Sequence, residues 1–348
     1  MYLDHAATSP LRPEARMAVE DGLGQWANPS SPHAEGRSAR RLLEDARDRT
    51  KAALGWQGEC IFTSGASEAA ALALGRAKAG ARLVSVVEHD CILQAAPDAE
   101  QLPVSGDGAV DIDNLAEAVQ RETPLVAVQQ VNSETGNAQD LREISRIVGE
   151  AGGLLLTDCA QGAGKFALPP CDMAIVSAHK FGGPVGIGAL LVKDYAMLEP
   201  SGGHERGYRR GTENLPGALG MAAALEAAGE PYVAADVLEP LERFAGDCAA
   251  AGGTMLSQAL SDPTPYIRAI AMPGMSASAQ VMRFDMAGIA VSQGSACSSG
   301  TMKTSRVLEA MQVDPGVAAN TIRVSFGSNT TRADLERFCE VWLDLAKG

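Results

Sequence analysis

The chain has 348 residues, 46% of them hydrophobic and 21% charged, with a formal charge of −14 at pH 7. That length suffices for one large α/β domain plus a smaller one, and the composition is that of an ordinary globular protein. The acidic balance argues against nucleic acid and anionic membrane surfaces as partners, because their phosphates would be repelled.

The start, MYLDHAATSP, lacks the basic residue and apolar centre of a secretion signal, and no apolar run approaches a membrane span. A cytoplasmic location is the expectation. Seven cysteines (60, 91, 159, 171, 248, 297 and 339) form no C-x-x-C pair and no Cys/His spacing. Structural zinc and a disulfide framework are therefore not expected.

In chain order, residues 1–11 read as an extended lead-in, followed by a polar loop at 28–33 and a charged helix over about 35–54. A short strand at 60–63 leads through Ser64-Gly65-Ala66-Ser67 into an alanine-rich helix to about Ala79. Strand, glycine turn and helix form the geometry that aims free N–H groups at an anion. Strands follow at 82–87, ending in Glu88-His89, and at 125–131, ending in Asn132-Ser133-Glu134. Asp140 and Glu143 predict a capping box for a helix whose face is Leu141, Ile144, Ile147 and Val148. Three aliphatic runs, 153–156, 173–176 and 187–192, read as buried strands of a parallel sheet. The first ends at Asp158 and the second at Ser177-Ala178-His179-Lys180.

The β/α order through 192 implies a mostly parallel sheet with helices on both sides, whose ligand crevice lies beyond the strand carboxyl ends. His89, Asn132, Asp158 and Lys180 all fall there. A crevice lysine can form a Schiff base, and a carboxylate can keep a pyridine nitrogen protonated. Both are requirements of pyridoxal phosphate (PLP). Beyond a polar segment at 202–214, helices are expected near 214–228, 236–251, 276–287, 304–311 and 332–346, with strands at 266–272 and 289–292. Cys297 sits in Gly-Ser-Ala-Cys-Ser-Ser-Gly, among small polar residues, which reads as an exposed loop whose thiol is either reactive or idle.

Ser177-x-His179-Lys180-x-x-Gly-Pro-x-Gly-x-Gly resembles the PLP-lysine signature of the class V aminotransferase superfamily, especially its cysteine desulfurase branch. Asp158-x-x-Gln161, Thr-Ser-Gly65-Ala66-Ser67-Glu, Glu-His89, Gly-Gly-His-Glu-Arg-Gly-Tyr-Arg-Arg-Gly-Thr212 and Gly-Ser-Ala-Cys297 extend the resemblance over nearly the whole chain. The resemblance implies PLP-dependent transferase fold type I, with a large domain at 12–232. A smaller α+β domain would comprise 1–11 and 233–348 and carry the cysteine loop.

It also implies roles. Lys180 would bear PLP as a Schiff base, Asp158 would hold the pyridine nitrogen, Gln161 the ring oxygen, and His89 would stack on the ring and move protons. Gly65, Ala66, Ser67, Ser177 and His179 would hold the phosphate, with Thr212 reaching it from the other subunit of a homodimer. Arg323 would grip the L-cysteine carboxylate, and Cys297 would take the sulfur as a persulfide. A sulfur-acceptor protein, such as an iron–sulfur scaffold, would follow. Ser133 departs from the family, which usually has Asn there; Asn132 lies one place early. Either Ser133 substitutes at the cofactor, or Asn132 reaches cofactor and substrate from an altered loop. Other class V activities (aminotransferase, selenocysteine lyase) and a weakly catalytic sulfur-transfer partner remain as alternatives.

Overall fold

The structure, a computed structural model, describes residues 1–229, 231–294 and 305–347. Cys297, its loop and the start of the helix expected from 304 lie outside the described residues.

Two helices, α1 (Pro13–Leu23) and α2 (Ala34–Ala53), precede the first strand. The large sheet contains β1 (Glu59–Thr63), β2 (Arg82–Ser85), β3 (Glu100–Leu102), β4 (Leu125–Gln129), β5 (Leu154–Asp158), β6 (Met173–Ser177) and β7 (Gly188–Val192). Between these strands run α3 (Ala66–Arg76), α4 (Asp90–Ala95), α5 (Ile112–Ala118) and α6 (Leu141–Glu150). The strand order is β1-β7-β6-β5-β4-β2-β3. Pairings among β2 to β6 are parallel, whereas β7 runs antiparallel to both β6 and β1. The reversal has a simple cause. Only residues 178–187 separate β6 from β7, too few for the helical crossover that a parallel partner needs.

Strand side chains alternate between two cores. Ala174, Val176, Ala189 and Leu191 pack with Leu219, Met221 and Ala222 on one face. Met173, Ile175, Leu190 and Val192 pack with Ala69, Ala73 and Leu74 of α3 on the other. A sheet covered on both faces explains why these runs are continuously apolar rather than alternating. In α6, Asp140 accepts the Glu143 N–H at 3.2 Å as N-cap. The Glu143 carboxylate turns instead to Arg146 at 2.6 Å, so the reciprocal half of the expected capping box is not formed.

After α7 (Leu215–Glu226) comes α8 (Ala235–Ala250), then β8 (Thr254–Met255), β9 (Ile267–Ala271), α9 (Ala277–Met286), α10 (Arg306–Ala310), α11 (Pro315–Ala319), β10 (Thr321–Ser325) and α12 (Arg332–Ala346). The three strands form an antiparallel sheet in the order β10-β9-β8. Phe244, Phe284, Phe338 and Trp342 fill its core, and Leu3 from the N-terminus packs among them. The strand expected at 289–292 reduces to single bridges, Ala290 to Tyr2 and Ser292 to Arg323. Gly288 and Gly294, at φ 75° and 83°, bend the backbone on either side of it.

Candidate active site

The carboxyl ends of β4, β5 and β6 open on one cavity of about 470 Å³, within the range of small-molecule sites. Gly65, Ala66, Ser67, His89, Ser133, Asp158, Gln161, Ser177, His179 and Lys180 line it.

The α3 N-terminus forms one wall. Its first-turn amides have no acceptor within the helix, so they present partial positive charge. Gly65 enters the turn at φ 151°. A Cβ on Gly188 would meet the Val176 carbonyl oxygen at 2.5 Å and Gly65 Cα at 2.9 Å, so β7 passes this turn only because its first residue has no side chain. Glu68 also lines the cavity, yet its carboxylate is engaged by the Ser64 N–H at 2.5 Å and Arg209 Nε at 2.9 Å. That neutralisation leaves the helix terminus suited to an anion.

Lys180 sits in a one-turn 3-10 segment after β6. Its Nζ donates to the carbonyl oxygens of Ala6 and Ala7 at 2.6 and 2.9 Å. Asp158 is buried and accepts the Ala160 N–H at 2.9 Å. Burial raises its pKa; the Ala160 N–H and the charges of His89 and Lys180 act in the opposite sense. A cationic partner inside the cavity would favour its ionised form. His89 accepts the Cys91 N–H through Nδ1 at 3.2 Å, which places the proton of the neutral ring on Nε2. His179 is pushed down to about 4, first by burial and then by the charges of Lys180 and Lys165. It is therefore neutral at pH 7, with Nδ1 3.2 Å from the Thr8 hydroxyl. Gln161 donates Nε2–H to the Ala6 carbonyl at 2.8 Å.

Asn132 and Ser133 separate cleanly. Asn132 is buried; its Oδ1 accepts the N–H groups of Glu134 and Thr135, each at 2.9 Å, and its Nδ2 donates to Val87 O at 3.1 Å. Both ends of that amide are spent on the loop, so the expected contact with substrate gives way to a turn-holding role. Ser133 is the residue at the cavity wall. Arg323 lies behind it, buried, donating to Ser133 O at 3.0 Å and to Asp4 Oδ1 at 2.6 Å. Thr212 is exposed on the 202–214 segment and does not line this cavity.

Asp4, Ala6, Ala7 and Lys165 escaped the sequence reading. The N-terminal segment looked like a lead-in, but backbone bonds from Leu3 and His5 to Ala290 and Ser325 lay it beside β10. Its carbonyl oxygens thereby reach Lys180. The resemblance had joined residues 1–11 to the small domain without giving Asp4, Ala6 or Ala7 a role.

A cavity at parallel strand ends, with a lysine, a buried carboxylate and a helix N-terminus around it, has the layout of the fold-type-I class. The sequence profile of the class-V aminotransferases matches residues 1–338. A cysteine desulfurase of Cereibacter sphaeroides is 35% identical over 98% of this chain and 94% of its own. The solved NifS-like protein from Rickettsia africae ESF-5 superposes with a TM-score of 0.88 at 28% identity, covering 100% of this chain and 99% of that one. A structure of SspA in complex with cysteine gives 0.79 at 27% identity, covering 94% of this chain and 99% of the other. The chain belongs to the cysteine desulfurase group of the class-V aminotransferase family.

Proposed function

We propose that the chain is a PLP-dependent enzyme that converts L-cysteine to L-alanine and leaves the sulfur on Cys297 as a persulfide. The supporting observation is the single cavity shared by Lys180, Asp158, His89 and the α3 N-terminus. These residues fit PLP: a buried carboxylate favoured by a cationic ring nitrogen, an amine for its aldehyde, and free amides for its phosphate. When bound, PLP supplies an electron sink for the amino acid.

The chain's own groups do the rest. Lys180 and His89 hold and move protons, Lys180 at Nζ and His89 at Nε2. Asp158 would hold the pyridine nitrogen's proton and Gln161 the ring oxygen. Gly65, Ala66, Ser67, Ser177 and His179 would hold phosphate, with Thr212 of a second copy completing a shared site in a homodimer. Arg323 orients the substrate carboxylate. At Cys297 an S–S bond forms as the substrate C–S bond breaks; the carbon keeps that electron pair and takes a proton, giving alanine.

The reading divides the chain into a cofactor-binding unit, 12–232, and a small unit of 1–11 with 233–348, supported by Leu3 packing beside Phe284 and Phe326. A cytoplasmic location accords with six buried, unpaired thiols among the described residues. The persulfide sulfur would then pass to an acceptor protein, an iron–sulfur scaffold being one such.

The test is to incubate PLP-loaded protein with L-cysteine and a thiol reductant, quantifying alanine and sulfide against Cys297→Ala. Equal amounts of both, lost in the variant, support the reading. Sulfide released by the variant at the wild-type rate, or pyruvate in place of alanine, would sink it.

A further inference from the structure

Arg323 already holds a carboxylate. Its Nη2 donates to Asp4 Oδ1 at 2.6 Å, and Nη1 donates to Ser133 O at 3.0 Å and more weakly to Gly294 O at 3.5 Å. The side chain is only 4% exposed and Asp4 20%. The remaining donor, Nε, is buried without a hydrogen-bond partner among the described residues. A guanidinium offers Nε–H and the adjacent Nη2–H as one edge for bidentate capture of a carboxylate. Asp4 uses half of that edge. The other half is a buried donor left unsatisfied.

The ion pair is set by the fold rather than by the pair itself. Leu3 N donates to Ala290 O at 3.0 Å, Ser325 N to Leu3 O at 2.8 Å, and Ala6 N to Ser325 Oγ at 2.8 Å. These bonds fix residues 3–6 beside β10 with no contribution from the Asp4 carboxylate.

We propose that Asp4 is a specificity-determining residue that shares the Arg323 guanidinium with the substrate's α-carboxylate and so weakens amino-acid binding. This rests on Arg323 being the carboxylate grip. An incoming carboxylate meets a neutralised ion pair instead of a bare cation, and it must displace Asp4 from Nη2 to satisfy Nε and Nη2 together. Asparagine at position 4 keeps an oxygen for Nη2 and removes the competing charge.

The experiment uses the PLP-loaded protein, comparing wild type, Asp4→Asn and Arg323→Gln. L-alanine and L-alanine methyl ester serve as competitive ligands against L-cysteine turnover. The expected result is an inhibition constant for L-alanine about tenfold lower in Asp4→Asn, with the ester constant unmoved because it carries no carboxylate. Arg323→Gln should weaken L-alanine and spare the ester. If Arg323→Gln behaves so while Asp4→Asn leaves L-alanine binding unchanged or weaker, Asp4 merely steadies the arginine and the proposal is overturned. Equal tightening of acid and ester in Asp4→Asn overturns it too. An Arg323→Gln protein that binds L-alanine normally removes the carboxylate grip itself, and the proposal falls with it.

Discussion

Lys165 is a buried amine beside the cavity, and replacing it with methionine should stabilise the protein in a pH-dependent way. Its ammonium has no carboxylate partner among the described residues. It lies 5.3 and 4.9 Å from the ring centres of Tyr232 and Tyr266, and 3.5 Å from Gln161 Oε1. Burial first, and the charge of Lys180 second, push its pKa from 10.5 down to about 7. A shift of that size corresponds to about 5 kcal/mol against the charged form. The ring faces, worth about 2 kcal/mol to a desolvated cation, fall short of that penalty. Burial wins. The sign follows from linkage. Below pH 7 both folded and unfolded chains hold the proton and the cost is full. From about pH 7 to 10.5 only the unfolded chain holds it, so stability rises with pH by up to about 1.4 kcal/mol per unit. Lys165→Met keeps a flexible apolar stem between the two tyrosines. Urea unfolding at pH 6, 8 and 9.5 should find the variant more stable at pH 6, with the difference shrinking at each step. His5 and His179, each pushed from 6.5 down to about 4 first by burial and in part by the Lys165 charge, contribute between those limits and so touch the pH 6 point, whereas the change from pH 8 to 9.5 lies outside their range. A variant less stable at pH 6, or a gap that does not change with pH, would refute the reasoning.

Arg47 and Glu205 form a buried pair at 2.6 Å, each side chain at most 3% exposed, and Glu205 also accepts the Phe62 N–H at 2.9 Å. Glu205→Gln leaves the buried Arg47 with only the more distant Glu44 carboxylate, at 3.4 Å, and should cost about 3 kcal/mol; a urea midpoint within error of wild type would refute it. Glu88 is fully buried, with Oε1 accepting the Gln129 N–H at 2.7 Å and Oε2 without a partner among the described residues. Burial, then the Asp158 charge, raise its pKa well above 4.5. The folded chain therefore keeps a proton that the unfolded chain sheds, and stability falls as pH rises from 4.5. Glu88→Gln should gain on wild type between pH 5 and 8 in paired unfolding curves, and parallel curves would contradict the assignment.

What could be read from the sequence divides along one physical line. The strand-end positions of His89, Asp158 and Lys180 were legible because each follows a local signal, an aliphatic run passing into polar residues, and parallel strands gather such ends without further instruction. Helix faces such as Leu141, Ile144 and Val148 were legible for the same reason. The direction of β7 was misread: 187–192 was expected in a parallel sheet, and the short connection over 178–187 reverses it. What stayed hidden depends on which polar group wins a competition between distant partners. Asn132 had two possible employers, and the turn's own N–H groups, two and three residues away, outbid any ligand. Glu143 had the choice of a helix cap or Arg146 one turn on, and took the cation. Asp4 and Arg323 lie 319 positions apart, so no spacing rule could join them. Their pairing follows from the N-terminal segment lying along β10, a register that no run of residues in either segment announces. The same placement turned Ala6 and Ala7 from an apparent lead-in into the carbonyl groups that hold the Lys180 amine. The chemistry-bearing residue types are therefore visible one strand at a time, whereas the partner that holds each of them ready is a property of the assembled sheet.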